Sequence, residues 1–232
     1  MEFCAMIVMD LEWNRSYDKK PVDEILQIGA VRTDGLTGVI TDTFNVYIKP
    51  VIHKKFDMGA RKLPDLDLVR ASDISFRTAW ADFLRWCGDE SEFAFWGPDD
   101  ELVIKRNCDY YGIEYTPFPR VWNLQRAFSH AYDGTGKNEM ALYRVVTFLG
   151  IPDVFDYHNA LHDAMYTALV GQVLRREDLE FIPAPKPKRP RRRRRPKESL
   201  TAKPPETAVK TAKPHPRRRR PRRKTPPRTD NK

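Results

Sequence analysis

The run FCAMIVMDLEW, from Phe3 to Trp13, is rich in Ile, Val and Met and shows no polar face until its end. That is the pattern of a buried strand whose last residues emerge at an edge. Two further apolar segments, EILQIGAVRTD from Glu24 and TGVITDTFNVYIKP, are separated by the turn-forming Asp34 and Gly35 and predict an antiparallel meander continuing from the first strand. A loop-like stretch from His53 to Leu68 follows. Phe76, Ala79, Trp80, Phe83, Leu84 and Cys87 then recur at helical spacing, and Glu92 to Trp96 reads as a short strand. A helix from about Asp99 to Tyr111 and a fifth strand at VWNL near Val121 come next. Asn138 looks like the N-cap of a helix whose apolar face, Ala141, Leu142, Val145, Val146 and Leu149, stops at Gly150. A last helix begins near Asn159, with Ala160, Ala164, Ala168 and Leu161, Met165, Leu169 on adjacent rows. Strands first, then helices alternating with strands, predict an α/β fold with a mixed five-stranded sheet flanked by helices.

Charge divides the chain in two. Up to Ile182 there are 20 Lys plus Arg against 29 Asp plus Glu, a net of −9, and after it 21 against 3, a net of +18. Twelve of the 19 prolines lie after Ile182, and every Gly, Trp, Tyr, Phe and Cys lies before it. Residues 1–182 therefore read as one globular domain and 183–232 as a disordered basic tail with Arg runs at Arg191 to Arg195 and Arg217 to Arg220. The overall pI near 9.5 averages an acidic domain with a cationic appendage. Cys4, Cys87 and Cys108 are widely spaced and odd in number, which argues against a disulfide framework or a structural zinc site and for a reducing compartment. The N-terminus lacks the positive start of a signal peptide, and no stretch approaches the ~18 apolar residues that a membrane span needs. A soluble, cytoplasmic protein is expected, or a nuclear one if the source has a nucleus.

Three constellations carry chemistry. Asp10 and Glu12 are two apart on the first strand, so they project from one face, where two carboxylates can share a metal ion; the bland alternative is a strand end dipping into solvent. In HNALHDA, His158 precedes the last helix and Asp163 lies one turn inside it, so the two can converge on one point or merely cap a polar helix start. In FWGPDDELVI, Asp99, Asp100 and Glu101 open a helix, where acids usually answer the helix dipole.

In this order, from Ile7 to Val173, the motifs resemble the DEDDh-type 3′→5′ exonucleases of the ribonuclease H-like fold, and most of all the subgroup of the histone-mRNA and sporulation-inhibitor exonucleases, where WG-x-x-Asp and EI-x-x-IGAV are typical. The resemblance places the four acids at Asp10, Glu12, Asp100 and Asp163 and the catalytic His at His158. Asp99 competes with Asp100, which is the fourth residue after Trp96. His162, His53 and His130 are left outside the site, the last two as loop surface residues. Many relatives have Thr-Gly after the Asp-x-Glu, and this chain has Trp13 and Asn14. Leu11 and Trp13 are the candidates for substrate contact, and Trp13 either stacks on a base or plugs the core beneath the site. The resemblance implies hydrolysis assisted by two Mg²⁺ ions, with Mn²⁺ as substitute, on single-stranded nucleic acid, RNA before DNA. A DNA proofreading or repair enzyme and a non-catalytic nucleic-acid-binding protein are the alternatives. The tail, with no aromatic residue to pack, is expected to hold phosphate backbones or RNA-rich assemblies without reading sequence.

Overall fold

The computed structural model describes residues 5–16, 22–35, 38–174 and 180–181, all within one unit, Met1–Pro185. The expected tail disorder, and Cys4, lie outside the described residues. Strands β1 (Met6–Asn14), β2 (Glu24–Thr33) and β3 (Ile40–Tyr47) form the anticipated antiparallel meander. Its second turn closes where Asp34 O accepts the Gly38 N–H at 2.8 Å and Asp34 N–H donates to Val39 O at 2.8 Å. Strands β4 (Glu92–Phe95) and β5 (Arg120–Asn123) add in parallel on the far side of β1. These five strands were legible beforehand. A two-residue strand, β6 (Glu180–Phe181), pairs antiparallel with β5 and was not, giving the order β3-β2-β1-β4-β5-β6.

β1 is central, and its alternation feeds two cores. Ile7, Met9 and Leu11 pack with Phe76, Trp80 and Phe83 of α2 (Phe76–Cys87) and Val103 and Ile104 of α3 (Asp99–Tyr111). Met6 and Val8 face the other way, toward α4 (Leu124–Asp133), α5 (Leu142–Phe148) and α6 (Ala160–Val173). A strand buried on both faces must be apolar throughout, which explains its unbroken run. β4 pairs with β1 only over Met6 to Val8, so Asp10 and Glu12 emerge past the end of a neighbouring strand, not at the side of the sheet.

Three readings need correction. The stretch after His53 contains a 3-10 turn (Ala60–Lys62) and the short α1 (Leu66–Ala71), anchored by Ala60, Leu63, Leu66 and Val69 against Leu26. The helix α4 follows β5 directly, capped by the Asn123 side chain on Arg126 N–H at 2.9 Å. Leu124, Ala127, Phe128, Ala131 and Tyr132 stand at the helical spacing i, i+3, i+4, i+7, i+8, so the sequence carried the signal for this helix. Asn138 caps no helix: α5 starts at Leu142 with Ala141 at its N-cap position and no side-chain cap, and Asn138 N–H donates to Ser129 Oγ at 2.9 Å. Cys87 and Cys108 are free and buried, and among the described residues no helix is long and apolar enough to cross a membrane.

The helix α6 comes down on the sheet at Gly29, the residue paired with Asp10. A Cβ there would lie 2.1 Å from Leu161 N, 2.2 Å from Ala160 C and 2.5 Å from Ala160 O, all main-chain atoms that cannot rotate away. Gly29→Ala is therefore expected to lift the first turn of α6 and to destabilise the domain by about 3 kcal/mol, the upper range of overpacking costs. Chemical denaturation checks this, and an unchanged midpoint would refute the close seating.

Candidate active site

Asp10 and Glu12 project from the face of β1 that looks toward α6, since they alternate with Met9, Leu11 and Trp13 on the other side. Asp100 arrives from the start of α3. It is 6% exposed and its carboxyl bonds to the Leu11 main chain, whereas Asp99 is exposed. Asp163 arrives from the first turn of α6. Its Oδ2 accepts the His158 N–H at 3.1 Å, and its Oδ1 is buried with no hydrogen-bond partner among the described residues. Ligand atoms of Glu12, His158 and Asp163 lie within 4.8 Å of one another.

His158 takes φ +63°, the left-handed region, and is the one non-glycine to do so among the described residues. Such backbone persists where its surroundings over-determine it. Here they do. Asn159 Oδ1 accepts Leu161 N–H at 3.0 Å and His162 N–H at 3.2 Å, capping α6. Gln27, opposite Glu12 on β2, accepts Ala160 N–H on Oε1 at 3.1 Å and donates from Nε2 to Asn159 Oδ1 at 3.3 Å. Asn159 Nδ2 donates to Asp65, which also accepts the Tyr47 hydroxyl at 2.5 Å. Gln27, Asn159 and Asp65 were not foreseen as site-building residues. The available signal was Gln27 itself, a polar side chain inside an otherwise apolar strand.

Burial raises the pKa of all four carboxyls, and repulsion from the other acids adds to it at Asp10 and Glu12. Burial, then Asp100, Asp163 and Glu12, push Asp10 well above the ordinary carboxylate range. Burial followed by Asp163 and Asp100 lifts Glu12 to about 8. Burial lifts Asp100 to about 7, and lifts Asp163 to about 6 against the opposing pull of the His158 N–H and His162. None of the ion pairs among the described residues involves these acids. Converging oxygens without a cation of their own, one of them buried and unpartnered, are what hard divalent ions such as Mg²⁺ bind.

The side chains of Leu11 and Trp13 are turned away from this cluster, although the Leu11 main chain bonds the Asp100 carboxyl. Leu11 is 3% exposed in the first core, and Trp13 packs against that same core on the face opposite the acids, as a plug would. The alternation of β1 decides this, because its neighbours Asp10 and Glu12 occupy the site face. His162 turns to the neighbouring loop, its Nδ1 3.2 Å from Asp156 O and its ring stacked on Phe155. His53 sits in a loop with Nε2 2.8 Å from Val22 O, while His130 lies on α4 and not in a loop.

The RNase T exonuclease family matches the chain over residues 7–170, a span that contains all four acids and His158. The chain belongs to this family. Its fold is shared with solved nucleases, one of them described as a DEDDh family member. No curated protein matches the sequence. Among solved structures, the nuclease domain of 3′hExo, a DEDDh family member bound to rAMP, superposes with a TM-score of 0.67 at 18% identity, covering 78% of this chain and 97% of that one. The cell-death related nuclease CRN-4 gives 0.63 at 20% identity over 74% of this chain, which spans 64% of that protein. The E. coli ExoI–ssDNA complex gives 0.53 at 17% identity, over 73% and 40%.

All four carboxyl shifts are upward, so the folded exonuclease holds these protons more tightly than the unfolded chain, whose carboxyls titrate from 3.8 to 4.5. The stability they contribute is fully present below the unfolded values of 3.8 to 4.5 and is lost as pH rises from there through about 6 to 8, the folded values of Asp163, Asp100 and Glu12. With chelator, Tm is expected to fall across that interval. Mg²⁺ or Mn²⁺ restores it most at the alkaline end, and Asp10→Asn raises the metal-free Tm there by roughly 2–4 °C per kcal/mol of repulsion relieved. A metal-free Tm as high at alkaline as at acid pH would contradict the cluster's electrostatics.

Proposed function

We propose that the protein is a divalent-metal-dependent 3′→5′ exonuclease that shortens single-stranded nucleic acid, RNA in preference to DNA, and releases nucleoside 5′-monophosphates. The observation that carries this is the convergence of Asp10, Glu12, Asp100 and Asp163 with no Lys or Arg paired to them among the described residues. Asp10, whose charge interacts with all three other acids, would hold the metal together with Glu12 and Asp163, and Asp100 would act mostly through water. Mg²⁺, or Mn²⁺ in its place, supplies polarisation of the phosphate, activation of the attacking water and stabilisation of the leaving 3′ oxygen. His158, exposed at the rim with its main chain tied to Asp163, removes a proton from that water.

The preference for RNA draws on two neighbours: the 3′hExo domain was solved with rAMP, and a related 3′-exonuclease is described recognising a histone mRNA stem-loop. The ExoI–ssDNA complex keeps DNA as the alternative. The basic tail would tether long nucleic acids through phosphate contacts without entering the chemistry, so truncation after Ile182 is expected to leave turnover of short substrates intact and to flatten the salt dependence of binding to long ones.

The test is incubation of the purified chain with end-labelled single-stranded RNA and DNA, with Mg²⁺ or with chelator. Shortening from the 3′ end, dependent on metal and faster on RNA, is expected. Asp10→Ala and Asp163→Ala abolish it in folded protein, and His158→Ala loses ~10² to 10⁴ in rate. Metal-independent cleavage, or full activity in either Asp variant, would sink the reading.

A further inference from the structure

The segment running from Ile52 to Leu63 borders the active site and carries a charge opposite to that of the domain around it. Lys54, Lys55, Arg61 and Lys62 are all exposed, and none takes part in an ion pair with a described acid. Its single acid, Asp57, is 4% exposed, and its carboxylate is consumed by main-chain donors: Arg15 N–H at 3.1 Å and Ala60 N–H at 2.6 Å. Arg15, exposed at the end of β1, adds a fifth cation. The globular part of the chain is otherwise acidic, with a net charge of −9 up to Ile182.

The placement of this segment is over-determined. Asn14, two residues beyond Glu12 and on the same face of β1, is fully buried. Its Oδ1 accepts Asp57 N–H at 2.8 Å and its Nδ2 donates to Lys55 O at 2.9 Å. The start of the segment hangs on Glu24, whose carboxylate accepts the main-chain N–H groups of Val51, Ile52 and His53. Ile52, Ala60 and Leu63 are buried beneath it. Just beyond its end, Asp65 binds Asn159, the neighbour of His158. Cations held on a fixed backbone between the end of the acid-bearing strand and the turn that bears His158 are preorganised, so little ordering is lost when they bind an anion.

We infer that this segment is a phosphate-binding lip, on which Lys54, Lys55, Arg61 and Lys62, with Arg15, hold the backbone phosphates of the strand whose 3′ end lies in the site. Lys side chains act there as point charges and the Arg side chains can pair two oxygens at once. The lip contacts phosphate and not bases, so it favours no sequence. It also accounts for how an acidic domain draws a polyanion toward four carboxylates: the attraction sits beside the acids, and the strand is delivered along it.

This inference rests on the exonuclease reading, and the experiment separates the two. The full-length chain is compared with a Lys54→Gln/Lys55→Gln/Lys62→Gln variant and with an Arg77→Gln/Arg85→Gln control on α2, which packs on the opposite face of the sheet. Cleavage of a short labelled oligonucleotide is followed across a salt series, and binding of the same strand is followed by fluorescence anisotropy in Ca²⁺. The lip variant is expected to show KM raised roughly tenfold at low salt with kcat within about twofold, and a log–log salt slope shallower by about 0.7 for each contact removed, hence by about 2. The control matches the unmodified chain. A lip variant with unchanged KM and salt slope, in a chain that cleaves normally, overturns the lip and leaves the exonuclease standing. A chain that binds but does not cleave, with the slope lost in the lip variant alone, supports the lip and removes the catalytic reading. A chain that binds no strand overturns both.

Discussion

The seating of α6 on Gly29 is the contact from which the rest of the site follows. A helix normally stands off a sheet by the thickness of a side-chain layer, about 10 Å for face-to-face packing. Here the absence of one Cβ lets the main chain of Ala160 and Leu161 rest against the strand directly opposite Asp10. Asp163, one turn further on, is thereby drawn in to the acids of β1, and His158, just before the helix, is turned over them. The polar atoms exposed by so close an approach are satisfied locally. Gln27 and Asn159 take the first N–H groups of the helix, and Asp65 and Tyr47 complete the set.

This arrangement holds like charges together. Four carboxyls, two of them at the end of a central strand, sit where water is scarce; burial raises the pKa of each, and repulsion from the other acids adds to it at Asp10 and Glu12. Burying such groups without compensation is expensive, and the domain tolerates it because the surrounding packing is extensive. Two aromatic-rich cores sandwich β1 and fix the strand that bears Asp10 and Glu12. The repulsion is then available as affinity for a cation, since anything that neutralises the cluster relieves it. Stability and metal binding are two aspects of the same electrostatic strain.

The distribution of charge repeats this logic at larger scale. The domain up to Ile182 is acidic overall, yet its positive charges are not scattered at random: the helices on the far face use theirs in local pairs such as Arg85 with Asp82, while the cations of the segment beside the site form no ion pair among the described residues. The latter are held out by a backbone whose hydrogen bonds and apolar anchors all point inward.

Local pattern determined much of this. The unbroken apolar run of β1 reads as a buried strand, the Asp-x-Glu at its end shares one face of such a strand, and Asn159 ahead of alternating small and large apolar residues reads as the start of a helix. Resemblance to the WG-x-x-Asp motif favours Asp100 with Asp99 as competitor, and in the structure Asp100 is buried where Asp99 is exposed. What the sequence did not show are relations between segments far apart in the chain. Leu11 and Trp13 adjoin the acids in sequence, and strand alternation sends them to the opposite core. The stretch after His53 reads as loop because it lacks periodicity, and only the tertiary structure shows that Asn14, Glu24 and Asp65 tie it to the site. A residue's chemistry and its local periodicity are written in the chain, but which other residue lies opposite it is decided when strands pair and helices pack.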